Sequence, residues 1–271
     1  MPKLHCESGH ADGVPLHEMT KLTFLGIGSA LPDVGEETAS FIVNGDLLFD
    51  CGWANALRMR ILGFDPLLVR TLFFTHCHHD HYLGLPALLF YRAMKRASEP
   101  LSIVGPPDDL PLVVSRAQAF LQTDRFEPLQ QQLELIPLEP GETWQNDRYE
   151  IQTIRALHQV TGVCGRLTDK CTGATIAFSG DTSPNEELAK LAQNADILIH
   201  EASVEPSALE TKHSGHSRAI DAAQTALQAH AKDLRLIHAP EHHRDASLRA
   251  AQEIFPNTQM AKEGETLTLP N

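Results

Sequence analysis

One run of seven residues constrains this chain more than any other: Thr75-His76-Cys77-His78-His79-Asp80-His81, entered directly from the apolar stretch Val69–Phe74. Imidazole and carboxylate are, with thiolate, the usual ligands of zinc. Packed into a core, such a cluster would need a partner for every nitrogen and oxygen, so core filling does not explain it. A solvated histidine-rich loop is the bland alternative, and it leaves the apolar strand running straight into the cluster unexplained. The spacing His-x-His-x-Asp-His lets alternate residues face two different ions. The fold must therefore present this loop rigidly, at the end of a strand, to further ligands from elsewhere in the chain.

The chain is long enough to do so. Its 271 residues suit one sizeable α/β unit, and 42% hydrophobic residues supply a core. The formal net charge of −13 argues against general nucleic-acid binding, where phosphate neutralisation calls for a basic surplus. Five cysteines (Cys6, Cys51, Cys77, Cys164 and Cys171) fit no disulfide framework, which points to a reduced, cytoplasmic setting. No segment reaches the ~18 apolar residues of a membrane span. The N-terminus lacks the basic-then-apolar pattern of a secretory signal.

Residues 1–18 are polar and read as a flexible N-terminal extension, followed by a single domain over 19–271. Strands are predicted at Lys21–Gly26, Val69–Thr75, Leu101–Val104, Leu133–Pro137, Tyr149–Leu157, Ala174–Ser179, Ile197–His200 and Leu234–His238. A hairpin joins Phe41–Val43 to Leu47–Phe49 across Asn44-Gly45-Asp46. Helices are predicted at Leu85–Ala97, Pro111–Leu121, Asn185–Gln193, Ser217–His230 (capped by Ser217 or Ser214) and Asp245–Ile254. Many strands end on a ligand-type residue: Asp50, His76, His158, Asp181, His200 and His238. Strand ends at one rim are where layered α/β folds gather their sites.

His76-x-His78-x-Asp80-His81 resembles the signature of the metallo-β-lactamase superfamily. Further motifs follow in order: Leu25-Gly26-Ile27-Gly28-Ser29-Ala30-Leu31-Pro32, Leu48-Phe49-Asp50-Cys51-Gly52, Phe178-Ser179-Gly180-Asp181-Thr182, Ile199-His200-Glu201-Ala202, Gly215-His216-Ser217 and Leu236-Ile237-His238. Together they resemble the ribonuclease Z-like branch. The resemblance implies an αββα sandwich of two mixed β-sheets flanked by helices, working as a homodimer with two divalent metal ions per chain. It assigns His76, His78 and His158 to one ion, Asp80, His81 and His238 to the other, and Asp181 to both. It makes His216 the general acid, oriented by Glu201, with Asp80 also orienting or deprotonating the nucleophile. The histidine-rich set favours zinc, with manganese and iron open. His200 and Asp50 are read as supporting residues, His79 and Cys77 as skipped positions. His213 is ambiguous, and His242 and His243 lie on the rim or in solvent.

The chain also departs from that branch. Relatives that mature tRNA carry a long gripping arm between the third histidine motif and the bridging aspartate; here only 23 positions separate His158 from Asp181, read as one hairpin. The leading expectation is therefore a metal-dependent phosphodiesterase acting on small or single-stranded phosphodiesters. The alternatives are a tRNA 3′-end endoribonuclease, a hydrolase of aryl sulfates or other esters, and a non-enzymatic metal-bearing sensor. Specificity is expected from Leu85–Arg125, with Tyr82, Tyr91, Arg92, Lys95 and Arg96 as contributors, and from loops near Gly141 and Pro206.

Overall fold

The computed structural model describes residues 10–11, 14–15, 19–209 and 214–269. Most of the expected extension, and His213, lie outside the described residues. Within residues 1–18, β1 (His10–Ala11) and β2 (Val14–Pro15) pair antiparallel.

Two seven-stranded mixed sheets make up the rest. The first comprises β3 (Thr20–Gly26), β4 (Ser40–Val43), β5 (Leu47–Phe49), β6 (Thr71–Phe73), β7 (Leu101–Gly105), β8 (Leu133–Pro137) and β16 (Thr266–Leu269), ordered β16-β3-β4-β5-β6-β7-β8. The second comprises β9 (Thr143–Gln145), β10 (Tyr149–Arg155), β11 (Val163–Asp169), β12 (Thr175–Phe178), β13 (Ile197–Glu201), β14 (Leu234–Ile237) and β15 (Thr258–Met260), ordered β15-β14-β13-β12-β11-β10-β9. Helices α1 (Asn55–Ile61), α2 (His79–Tyr82), α3 (Leu85–Met94) and α4 (Leu110–Phe120) belong to the first half of the chain, and α5 (Glu186–Leu191), α6 (Ala219–Ala229) and α7 (Arg244–Gln252) to the second.

Burial explains the layering. One apolar cluster lies between the sheets and includes Phe41, Phe49, Phe73 and Phe178. Their rings are mutually offset or tilted, Phe49 and Phe178 at 5.0 Å and Phe73 edge-on to Phe178 at 5.8 Å, geometry that aromatic quadrupoles favour. A second cluster joins the outer face of the first sheet to α1, α3 and α4. A third, rich in alanine, joins the second sheet to α6 and α7, where small side chains let helix and sheet approach closely. This is the αββα sandwich expected from the sequence. Strands that alternate inward and outward residues face two apolar layers here, so β3, β4 and β6 read as nearly continuous hydrophobic runs.

The hairpin at Asn44-Gly45 forms as predicted, with Asn44 (φ 51°) and Gly45 (φ 80°) left-handed, a conformation Asn and Gly tolerate. Several predicted details differ. Helix α6 starts later than predicted and neither serine caps it. Ser217 Oγ donates to the Thr182 carbonyl (2.7 Å), while Asp221 accepts from the Arg218 backbone N–H (2.9 Å). Helix α1 and strands β9, β15 and β16 carry too little periodicity of their own and were not predicted. The stretch after His158 forms the expected hairpin, β11 and β12 pairing antiparallel, and it is built into the second sheet because β11 also pairs with β10.

Candidate metal centre

The C-terminal ends of β5, β6, β10, β12, β13 and β14 deliver Asp50, His76, His158, Asp181, Glu201 and His238 to one rim. Close backbone approaches fix the loops there. A Cβ on Gly84 would sit 2.0 Å from the Gly52 carbonyl oxygen, so the turn carrying Asp80 and His81 can seat against the Asp50 loop only with glycine. Asp50 (φ 56°) and His238 (φ 53°) are held left-handed, a backbone cost of order 1 kcal/mol each.

Two donor sets result. His76, His78 and His158 offer ligand atoms within 4.8 Å of one another, and so do Asp80, His81, Asp181 and His238. Asp181 Oδ2 belongs to both neighbourhoods: it lies 3.7 Å from His76 Nε2 and 3.6 Å from the Nε2 atoms of both His81 and His238.

Hydrogen bonds on the far side of each ring fix the tautomers. His81 Nδ1–H donates to Asp50 Oδ2 (2.8 Å). His158 Nδ1–H donates to the Gly215 carbonyl (2.6 Å). The Thr75 hydroxyl gives its proton to Asp50 (2.9 Å), so at Thr75 Oγ1 it is His76 Nδ1–H that donates (3.1 Å). The Ser203 hydroxyl gives its proton to Glu201 (2.6 Å), so His238 Nδ1–H donates to Ser203 Oγ (2.7 Å). Four imidazoles therefore turn an Nε2 lone pair into the site. His78 presents its other nitrogen, Nδ1, 2.8 Å from His158 Nε2.

Among the described residues, the buried Nε2 atoms of His76 and His81 have no hydrogen-bond partner. An orphaned buried nitrogen is costly unless something occupies its lone pair. Nitrogen and carboxylate donors, converging and orphaned, fit divalent metal ions.

Electrostatics separates the two sets. Burial pulls His76, His78 and His158 below the ordinary imidazole range, aided by neighbouring histidines for the first two, which leaves them as neutral donors. At His81, burial also opposes the charged form, but Asp50 and Asp181 outweigh it and the shift is upward. Burial likewise opposes charge on Asp80 and Asp181, and the surrounding histidines overcome it, holding both carboxyls ionised well below their usual range. This half of the site attracts positive charge.

His216 and Glu201 stand beside the second set. Glu201 is buried and fully engaged: Oε1 accepts from the Thr182 N–H (2.9 Å) and His216 Nδ1 (3.0 Å), and Oε2 from Ser203 N–H and Oγ. Burial lowers the His216 pKa, but the Glu201 hydrogen bond and charge prevail and push it up to about 9. The ring stays partly exposed, stacked on His238 at 5.8 Å and edge-on to His158 at 4.9 Å.

Every residue expected to bind metal or act in catalysis is thus gathered here. His200 is buried with Nδ1 donating to the Glu201 carbonyl, and it belongs to neither donor set. His79 is exposed beside Tyr82, and Cys77 packs into the outer core. His243 is no rim residue: it is buried, between Ser247 Oγ and the Ser203 carbonyl. Arg92, expected among specificity residues, is also buried, and its guanidinium donates to the carbonyls of Pro66, Leu67, Val69 and Glu99. Ser203 was missed altogether, because nothing in the string Ala-Ser-Val marks a serine that joins His238 to Glu201.

Known proteins share this architecture. The metallo-β-lactamase fold protein YhfI from Bacillus subtilis superposes with a TM-score of 0.78 at 24% identity, covering 93% of this chain and 99% of that one. Human tRNase Z, short form, gives 0.75 at 24% identity over 93% of this chain and 100% of its own. By sequence, ribonuclease Z of Methanothermobacter thermautotrophicus is 27% identical over 297 aligned positions, 90% of this chain and 95% of its own length. Residues 20–255 match the family model described as "Anti-Pycsar protein Apyc1", and the chain belongs to that family.

Proposed function

We propose that this chain is a dinuclear metal-dependent phosphodiesterase acting on small or single-stranded phosphodiesters, built as one hydrolase domain over residues 19–271. The observation that carries the reading is the position of Asp181 Oδ2, within 3.7 Å of imidazole nitrogens from both donor sets. His76, His78 and His158 would hold one ion, Asp80, His81 and His238 the other, and Asp181 both. Zinc suits this donor set best. Two such ions, when bound, supply Lewis-acid stabilisation of phosphoryl charge and a water made acidic enough to attack near neutral pH.

The protein's own groups do the rest. Asp80, whose Oδ2 lies 3.1 Å from His238 Nε2, orients the attacking water. His216 Nδ1–H is committed to Glu201, so its Nε2 carries the proton delivered to the departing oxygen. Glu201 holds that ring in place and stabilises its cationic form. The homodimer and the reduced, cytoplasmic setting implied by the sequence belong to the same reading. The described residues Cys51, Cys77, Cys164 and Cys171 are all free, and no helix among the described residues is long and apolar enough to cross a membrane.

A second reading, RNA 3′-end endonuclease, is favoured by the similarity to ribonuclease Z along most of the chain. Against it stand the net charge of −13 and the alignment itself, which runs to 297 positions on 90% of a 271-residue chain, so the relative carries segments this chain lacks. Elemental analysis, run beside turnover of bis-p-nitrophenyl phosphate, a 2′,3′-cyclic nucleotide, an aryl sulfate and a 3′-extended tRNA, decides. Two metals per chain with phosphodiester turnover support the proposal, and cleavage of tRNA alone would replace it with the second reading. Turnover confined to the sulfate would move the activity to other esters. A chain that takes up no metal on reconstitution would end both.

A further inference from the structure

The rings of His76, His81, His158 and His238 are each steadied by a hydrogen bond at Nδ1, on the side away from the site. The Asp80 side chain has no such support. Its Oδ2 lies 3.1 Å from His238 Nε2 and 3.3 Å from His81 Nε2. Both rings have committed their N–H at Nδ1, so each Nε2 turns a lone pair, not a proton, toward the carboxylate. No other donor among the described residues reaches it. The direction of so short a side chain must then come from the backbone that carries it.

That backbone is unusual. Helix α2 is a single turn, His79–Tyr82. Continued, it would pair the Asp80 carbonyl with the Gly84 N–H four residues on. The Gly84 N–H donates instead to the Cys51 carbonyl (2.9 Å), and the Thr38 hydroxyl takes its place, reaching the Asp80 carbonyl at 2.8 Å. Thr38 is fully buried and lies 42 residues away in the chain. Gly52 makes room for the contact, because a Cβ there would sit 1.7 Å from Thr38 Oγ1 and 2.9 Å from the Asp80 carbonyl oxygen.

Thr38 is itself held from behind. Its N–H donates to Glu37 Oε1 (2.9 Å), and the other oxygen of that buried carboxylate accepts from the Ala54 N–H (2.6 Å). The Glu37 N–H donates to Glu263 Oε1 (2.5 Å), and Glu263 pairs with Arg58 of α1 (3.0 Å). The Thr38 hydroxyl has one proton and two acceptors in reach, the Asp80 carbonyl at 2.8 Å and Glu37 Oε1 at 3.0 Å. Glu37 Oε1 already accepts the Thr38 N–H, whereas the Asp80 carbonyl has no other donor among the described residues. The proton therefore goes to Asp80.

We propose that Thr38 is a positioning residue of the metal centre, whose hydroxyl fixes the Asp80 backbone and through it the carboxylate that the second donor set needs. The proposal deepens the proposed function and rests on its two-ion reading. It also carries a direction. No hydrogen bond runs from Thr38 to His76, His78 or His158, so losing the hydroxyl acts on the Asp80–His81–His238 ion and spares the other.

The test compares Thr38→Val, which keeps the shape and removes the hydroxyl, with Thr38→Ser, which keeps the hydroxyl. Zinc is titrated into the full chain against a chromophoric chelator, and cadmium-113 spectra tell the two sites apart. The second set has one imidazole fewer and one carboxylate more, which moves its resonance to higher field. Thr38→Val is expected to weaken the second ion about 10-fold or more and leave the first unchanged. Thr38→Ser is expected to bind both nearly as wild type does. Urea unfolding of the metal-free chains reads any general loss of stability. Unchanged affinity for the second ion in Thr38→Val overturns the proposal, and so does an equal weakening of both ions, the mark of a residue that only supports the fold. A wild type that binds one ion ends the two-ion reading and the proposal with it. Metal binding is read without substrate, so a chain that shows the selective loss but no phosphodiester turnover refutes the phosphodiesterase and keeps the role of Thr38.

Discussion

Ser203→Ala removes one oxygen from the metal centre and should weaken metal binding from outside the ligand set. In the wild type this hydroxyl accepts from His238 Nδ1 (2.7 Å) and donates to Glu201 Oε2 (2.6 Å). Its loss leaves Glu201 well served, because the Ser203 and Thr182 backbone N–H groups and His216 still reach it. His238 fares worse. Its ring is 3% exposed, and Nδ1–H loses the partner that keeps the lone pair on Nε2. One buried unsatisfied donor costs about 1–3 kcal/mol. Loss of an outer partner of a metal-binding histidine typically costs about 10–100-fold in metal affinity, or about 1.4–2.7 kcal/mol. Competition against a chromophoric chelator measures that affinity directly, and Ser203→Thr, which restores the hydroxyl, should recover most of it. A serine that merely packs would lower the stability of the metal-free chain and leave the chelator titration unmoved. Unchanged affinity in Ser203→Ala would refute the tautomer argument.

The ligands and the acid should separate cleanly. Asp181→Ala or His78→Ala is expected to lose metal and activity together. His216→Ala should keep its full metal content by elemental analysis while kcat falls about 10²–10⁴-fold; a fully active His216→Ala would remove this residue from the acid role. Away from the site, Arg92→Ala strips a buried guanidinium from the carbonyls it caps. It should cost about 3 kcal/mol in denaturant unfolding while leaving the KM of the remaining folded enzyme unchanged. A shifted KM would restore Arg92 to substrate recognition.

Much of the centre was legible in the sequence because its ligands sit in short local patterns. His76-x-His78-x-Asp80-His81 lies in one turn, and Asp181, Glu201 and His238 each end or follow a short β-strand recognisable by its apolar residues. The same locality made the hairpin at Asn44-Gly45 readable, since its turn chemistry needs no distant partner. What escaped were features whose meaning depends on neighbours far along the chain. Arg92 looks like an exposed helix charge until the carbonyls of the Pro66–Val69 segment fold over it. Ser217 resembles a helix cap until Thr182 claims its hydroxyl.

The sequence alone determined the chemistry on offer, a set of nitrogen and carboxylate donors on strands rigid enough to present them, because ligand type and strand period are local properties. Only the tertiary structure decided how those donors are used. It chose which nitrogen each imidazole turns inward, set Asp181 between the two sets, and recruited Ser203 and His243 as unseen supports. Each of those choices is a hydrogen bond or close contact between residues far apart in the chain, and such pairs exist only once both sheets have closed around one core.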